Sequence, residues 1–207
     1  MRRETGERGK MPPDEKEGPI WVFVWRGRRS SNTDGEELLA CGRLYAAAAG
    51  IRLPAGEAAP LIARREKGKP YFPAWPEVHF SLSHSGDFTA CAYAGRPVGL
   101  DLQVHRYCRQ AKIAQRYFHP EETAYLAASG YVDFYDLWTA KESYGKYTGD
   151  GIAGILGEIS LAAGDDLKAS LPDAVLRRPP FRPGYSMCLC ARRVTDVRLI
   201  YRGDAVN

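Results

Sequence analysis

The sequence of 207 residues lacks any unbroken apolar run of the about eighteen residues needed to span a bilayer as a helix. Its opening stretch, MRRETGERGKMPPDEKEG, has no apolar block either, so it does not read as a secretory leader, and the cytoplasm is the expected address. Cysteine is sparse. Cys41, Cys91, Cys108, Cys188 and Cys190 are odd in number, scattered, and absent from any C-x-x-C or His/Cys cluster, which argues against a disulfide framework and a zinc site. Cys91, Cys188 and Cys190 fall in apolar, strand-like stretches and read as small buried hydrophobes with reduced thiols. No G-x-x-x-x-G-K-[ST] loop is present, which removes the P-loop hydrolases. No G-x-S-x-G elbow occurs, and adjacent Ser83 and His84 on a strand point to opposite faces, which removes a Ser–His nucleophile pair. Basic and aromatic residues are not interleaved as in nucleic-acid readers.

Apolar residues make up 44% of the chain, enough for a core, and the net charge is +4. The first eighteen residues carry five basic and five acidic side chains, so the excess sits on the folded body and suits an anionic ligand or an acidic partner protein. Residues 1–18, broken by Pro12-Pro13 and Gly18, read as a disordered tail. IWVFVW (20–25) reads as a strand. Glu36 to Ala49 reads as a helix capped by Thr33 or Asp34, followed by an irregular stretch to about Pro76. VHFSLS (78–83) and FTACAYA (88–94) read as strands around a polar turn at Ser83–Asp87, and residues 97–103 as a buried strand ending in polar groups. Helices are expected over 109–118, from Pro120-Glu121-Glu122, and from Asp133 to Tyr147, with strands over 155–201. FSLSHSGDFTACAYA (80–94) and FRPGYSMCLCA (181–191) echo one another, each running from Phe through a Gly turn into a Cys-containing apolar strand. The fold class is α+β, in two similar halves at 19–96 and 97–207.

Three segments carry chemistry. In Gly99-Leu100-Asp101-Leu102-Gln103, an Asp inside an apolar strand is costly unless it meets a cation or donors. Asp101 and Gln103 share one strand face and could offer two oxygens to Mg²⁺, although a strand-ending Asp in a turn is the commoner case. In Trp138–Lys146, Glu142 and Lys146 lie one helical turn apart, on the face that also holds Trp138; they read either as an ordinary surface ion pair or as a carboxylate for metal beside an ammonium for phosphate. In Ser81–Gly86, hydroxyls and the His84 imidazole supply donors for a phosphate, or backbone partners for a turn. Gly145 inside a helix costs about 1 kcal/mol and implies close packing or a ligand nearby.

In order and spacing, KGKPYFP (67–73), FSLSHSGDF (80–88), VGLDLQ (98–103), RYFHPEE (116–122), LWTAKESYGKYTGDGI (137–152) and PGYSMCLCA (183–191) resemble the phosphopantetheinyl transferases of the surfactin-synthetase-activating type. The resemblance implies two α+β halves related by a pseudo-twofold axis, each a small antiparallel sheet packed on a long helix, with coenzyme A between them as co-substrate. It implies that Asp101 and Glu142 ligate Mg²⁺ (or Mn²⁺), with Glu122 as the third acidic residue. By the same resemblance, Lys146 is expected to contact the coenzyme A phosphate, joined by Lys69, Ser83 and His84, and Glu142 or Glu122 to take the proton of the carrier serine. The expected partner is an apo acyl, peptidyl or aryl carrier protein, without nucleic acid or membrane, and the enzyme is expected as a monomer. Arg106, Arg109, Lys112 and Arg116 could meet an acidic carrier, or simply form a solvated helix face. Two departures from the family stand out. Gln103 replaces a frequent Glu, which predicts weaker metal affinity. The basic stretch after the first strand is shortened, leaving Arg26, Arg28 and Arg29 in its place. Both departures also admit a coenzyme A-binding module without catalysis, serving as a regulator or scaffold.

Overall fold

Strand alternation in IWVFVWR decides the layout, because both faces of this strand are apolar and each needs its own cover. In the computed structural model, which describes residues 18–27, 33–54, 62–164 and 166–203, this strand is β1 (Ile20–Arg26). It is followed by α1 (Thr33–Ala48), β2 (Ala63–Arg64), β3 (Pro70–Tyr71), β4 (His79–Ser85), β5 (Phe88–Ala94) and β6 (Val98–Val104). Next come α2 (Gln110–Tyr117), α3 (Pro120–Ala128), α4 (Phe134–Thr148) and a 3₁₀ turn at Ile152–Gly154. The chain continues through β7 (Ala162–Ala163), β8 (Asp166–Leu167), β9 (Ser170–Leu171), β10 (Ala174–Arg177), β11 (Tyr185–Ala191) and β12 (Val197–Arg202). The tail over 1–17, Arg28 and Arg29, and the side chains of Thr33 and Asp34 lie outside the described residues.

Two four-stranded sheets result, in the orders β12-β1-β5-β4 and β6-β11-β10-β9. Their inner faces share one core: Ile20, Val22 and Val24 of β1 and Ala90 and Ala92 of β5 join a cluster with Leu100 and Leu102 of β6 and Met187 and Leu189 of β11. The opposite face of β1, Phe23 and Trp25, packs with Tyr93 against Leu38, Cys41 and Tyr45 of α1. Outside the second sheet, Leu137, Ala140 and Tyr144 of α4 cover Cys188 and Cys190 of β11, with Phe118 and Leu126 closing the edge. The layers therefore run helix, sheet, sheet, helix, which is the expected α+β class. Four of the five thiols are buried, and burial pushes Cys41 up to about 12 and Cys188 up to about 11, so both stay protonated and behave as apolar filling.

Three expectations change. The polar turn placed at Ser83–Asp87 begins later, because Ser83, His84 and Ser85 continue β4 and only Gly86-Asp87 turns. The stretch before Pro76 is not wholly irregular, since β2 and β3 pair within it. The first sheet is not all antiparallel, because β12 returns from the far end of the sequence to pair in parallel with β1, from Ile20 opposite Val197 to Trp25 opposite Arg202. Without that return, β1 would present an unpaired edge of N–H and C=O groups.

α4 lies against β6 at unusually close range. A Cβ added to Gly99 would sit 1.9 Å from the Ser143 carbonyl oxygen and 2.6 Å from the Tyr147 nitrogen, both backbone atoms that cannot move aside. Gly145 answers the question its helical position raised. A Cβ there would meet the Gly151 backbone at 2.8 Å, so the residue is small because the chain after α4 folds back onto it. Gly99→Ala is expected to destabilise the fold by at least about 3 kcal/mol in urea denaturation, since α4 must lift off the sheet to admit one methyl.

Candidate active site

The close approach of α4 to β6 brings together side chains that are far apart in sequence. Asp101 faces α4 from the middle of β6, on the side shared with Gly99, and is 5% exposed. Its Oδ1 accepts from Lys146 Nζ at 2.7 Å and from Ser83 Oγ at 2.7 Å. Its Oδ2 is buried with no hydrogen-bond partner. Glu142 stands one helical turn before Lys146 and is half-buried. Burial first, and the charge of Asp101 second, hold the Glu142 carboxyl above the ordinary carboxylate range, while Lys146 offsets part of this. The sequence reading of a lone surface pair between Glu142 and Lys146 thus gives way to a three-membered group that includes Asp101. Trp138, one turn further back, stacks beside Phe134 at 6.3 Å and closes the apolar side of the same face.

The other expected residues take distinct places. Gln103 lies two residues beyond Asp101 on β6, half-buried, with its amide donating to the Val104 carbonyl at 3.2 Å. His84 is exposed on β4. Lys69 reaches the last turn of α4, beside Lys146, and donates to Tyr147 O at 3.0 Å and Val98 O at 3.3 Å, tying the segment after β2 to α4 and β6. Burial lowers the Lys69 ammonium to about 8, with Arg65 adding to the effect. Beside it, Lys67 pairs with Asp150 on the surface.

Glu122 does not join this group as a free acid. It is fully buried, its Oε2 is 2.9 Å from Lys141 Nζ and accepts the His119 N–H at 3.0 Å, and its Oε1 accepts the Leu161 N–H at 2.8 Å. Lys141, also fully buried, donates onward to the Leu156 and Ile159 carbonyls. The pair therefore fastens the start of α3, the middle of α4 and the 156–161 loop to one another. Sequence reasoning missed Lys141, although a signal existed. Leu137, Lys141 and Tyr144 fall at helical spacing on one stripe, and a lysine on an apolar stripe requires a buried carboxylate.

Among the described residues, no three acidic, histidine or cysteine side chains come together as a metal cage. A cage is not what Mg²⁺ needs, since this ion is usually held by one or two carboxylates together with substrate phosphates and water. A bare, buried Asp101 oxygen beside a second carboxylate fits that requirement. A cleft of about 730 Å³ lies elsewhere, lined by Trp21, Tyr45, Arg96 and Arg198, and none of the Asp101 group borders it. No helix among the described residues is long and apolar enough to cross a membrane.

Residues 97–181, which contain all of β6, α2, α3 and α4, match the family described as the 4′-phosphopantetheinyl transferase superfamily. The chain is similar to a 4′-phosphopantetheinyl transferase of Bacillus subtilis, 36% identical over 61% of each sequence. It is also similar to the 4′-phosphopantetheinyl transferase Sfp of Bacillus subtilis strain 168, 34% identical over 61% of each. A shorter match joins it to the 4′-phosphopantetheinyl transferase HetI of Nostoc sp. strain PCC 7120, 39% identical over 40% of this chain and 37% of that protein. The chain thus spans about three fifths of the length of the two Bacillus relatives it matches.

Proposed function

We propose that the protein transfers the 4′-phosphopantetheine group of coenzyme A to a serine of an apo carrier protein and releases adenosine 3′,5′-bisphosphate, with Mg²⁺ bound at Asp101 and Glu142. The observation that carries this reading is the Asp101–Glu142–Lys146 group, two carboxylates and an ammonium converging with one Asp101 oxygen left unsatisfied. It lies inside the matched segment.

Phosphoryl transfer asks a protein mainly for positioning and charge stabilisation. Bound at Asp101 and Glu142, Mg²⁺ would neutralise the pyrophosphate of coenzyme A. Lys146, whose ammonium is partly exposed, reaches a phosphate oxygen from α4, and His84 offers its ring from the exposed side of β4. The carrier serine oxygen bonds to the β-phosphorus, the bond from that phosphorus to the bridging oxygen breaks, and adenosine 3′,5′-bisphosphate leaves with the electron pair. Glu142, the carboxylate on α4 next to Lys146, takes the serine proton directly or through a water. Glu122 is a poor candidate for that step because both of its oxygens already accept hydrogen bonds deep in the fold.

The two-sheet layout and the echo between 80–94 and 181–191 support two halves related by a pseudo-twofold axis, with coenzyme A bound between them in a monomer. Arg106, Arg109, Lys112 and Arg116 are exposed around α2, next to the fully exposed Tyr107, and suit an acidic carrier. Mass spectrometry of an apo carrier protein incubated with coenzyme A, Mg²⁺ and this protein tests the reading. Transfer adds one phosphopantetheine to the serine and stops with EDTA, whereas an unmodified carrier rules it out and leaves the scaffold alternative.

Gln103 supplies a neutral oxygen where the carboxylate of a Glu would add charge beside the cation. Gln103→Glu is expected to tighten the apparent Mg²⁺ affinity severalfold in an activity titration, and an unchanged affinity removes any metal role for this position.

A further inference from the structure

β4 and β6 are the edge strands of different sheets, yet they lie side by side. No backbone ladder joins them. Instead, the Leu100 N–H donates to Ser81 Oγ at 2.9 Å, the Leu102 N–H to Ser83 Oγ at 3.1 Å and the Val104 N–H to Ser85 Oγ at 3.0 Å. Three serines at alternate positions thus stand in for the carbonyls of a neighbouring strand along the open edge of β6. The middle one differs. A hydroxyl has one proton to give, and Ser83 gives it to Asp101 Oδ1, on the same oxygen that Lys146 occupies. Oδ1 is thereby saturated from two sides and Oδ2 is the oxygen left bare. With its oxygen accepting from Leu102 and its proton on Asp101, Ser83 is 6% exposed and turned into the protein.

We infer that Ser83 is a positioning residue: anchored to the β6 backbone, it fixes the Asp101 carboxylate so that Oδ2 is presented for the divalent cation, in place of touching the phosphate of coenzyme A itself. The inference rests on the transferase reading and deepens it at the cation seat. A hydrogen bond from outside the coordination sphere that orients a ligating carboxylate commonly matters by tenfold or more in metal affinity.

The test is a Mn²⁺ titration of the full chain with saturating coenzyme A and no carrier protein, reading free Mn²⁺ by electron paramagnetic resonance, alongside thermal unfolding of each variant. Ser83→Ala is expected to bind Mn²⁺ about tenfold more weakly than wild type, and Ser83→Thr, which keeps the hydroxyl, to stay near wild type. Ser81→Ala and Ser85→Ala each remove one bond of the seam without touching a carboxylate, so they are expected to lower the melting temperature while holding Mn²⁺ as wild type does. Should Ser83→Ala not fold, Ser83→Cys keeps the bulk, gives up most of the donor strength and reads the same loss. An unchanged Mn²⁺ affinity in Ser83→Ala, with weaker coenzyme A binding in metal-free buffer, would make Ser83 a phosphate contact and overturn the inference. Equal Mn²⁺ losses in all three alanine variants would reduce Ser83 to seam structure alone. A wild-type protein that takes up no Mn²⁺ with coenzyme A would instead sink the transferase reading, a different failure from either of these.

Discussion

Asp101→Asn is expected to keep the fold, checked by circular dichroism, and to lose phosphopantetheine transfer by on the order of 10²- to 10³-fold in kcat/KM. The substitution preserves the shape of the side chain, and the amide oxygen can still accept from Ser83 Oγ. What it removes is the negative charge that holds Lys146 at 2.7 Å and that, with Glu142, makes the pair attractive to a cation. It also releases Glu142 from the like charge that raises its carboxyl, so the pH profile of any residual activity is expected to move to lower pH on its acidic limb. Full activity in Asp101→Asn would show that the chemistry takes place elsewhere, whatever else this group does for the fold.

Breaking the buried ion pair has the largest expected effect on stability. Lys141→Ala leaves the Glu122 carboxylate inside the protein without its counter-charge and strips the Leu156 and Ile159 carbonyls of their donor. About 3–5 kcal/mol of unfolding free energy should disappear, a large share of what a domain of this size possesses. Replacing both partners with apolar residues, Glu122→Leu with Lys141→Met, is expected to recover only part of the loss. The ion pair itself is dispensable in such a swap, but the His119 and Leu161 N–H groups would still lack an acceptor. Urea denaturation of the two variants side by side checks this. A loss below about 1 kcal/mol for Lys141→Ala would mean that the lysine finds water where the structure gives it none.

What could be read from sequence was whatever local pattern controls. β1, β5 and β6 are apolar strands, Pro120-Glu121-Glu122 opens a helix, and α4 stops at Gly149, so these elements appear close to where periodicity and caps place them. The same-face relation of Glu142 and Lys146 also follows from helical spacing alone. What could not be read depends on which elements end up side by side. Nothing local says that the hydroxyls of Ser81, Ser83 and Ser85 face the edge of another sheet, and so the stretch from Ser83 looked like a turn when it is strand. Likewise Glu122, which the motifs single out as a third acidic residue and a candidate base, is paired with Lys141, nineteen residues on, a partner that only the packing of α3 on α4 reveals. The convergence of Asp101 with Glu142 lies between these cases, because the motifs named the residues while the approach of α4 over Gly99 is what joins them.

The return of β12 to the flank of β1 ties the first strand among the described residues to the last. On the ribosome, Ile20–Arg26 emerges long before Val197–Arg202, and β1 must wait with a sticky, uncovered margin until those residues have followed it out. Nascent-chain capture by holding factors, and loss of soluble yield when release of residues 197–202 is delayed by a stalling sequence placed shortly after them, are the cellular costs such a closure brings.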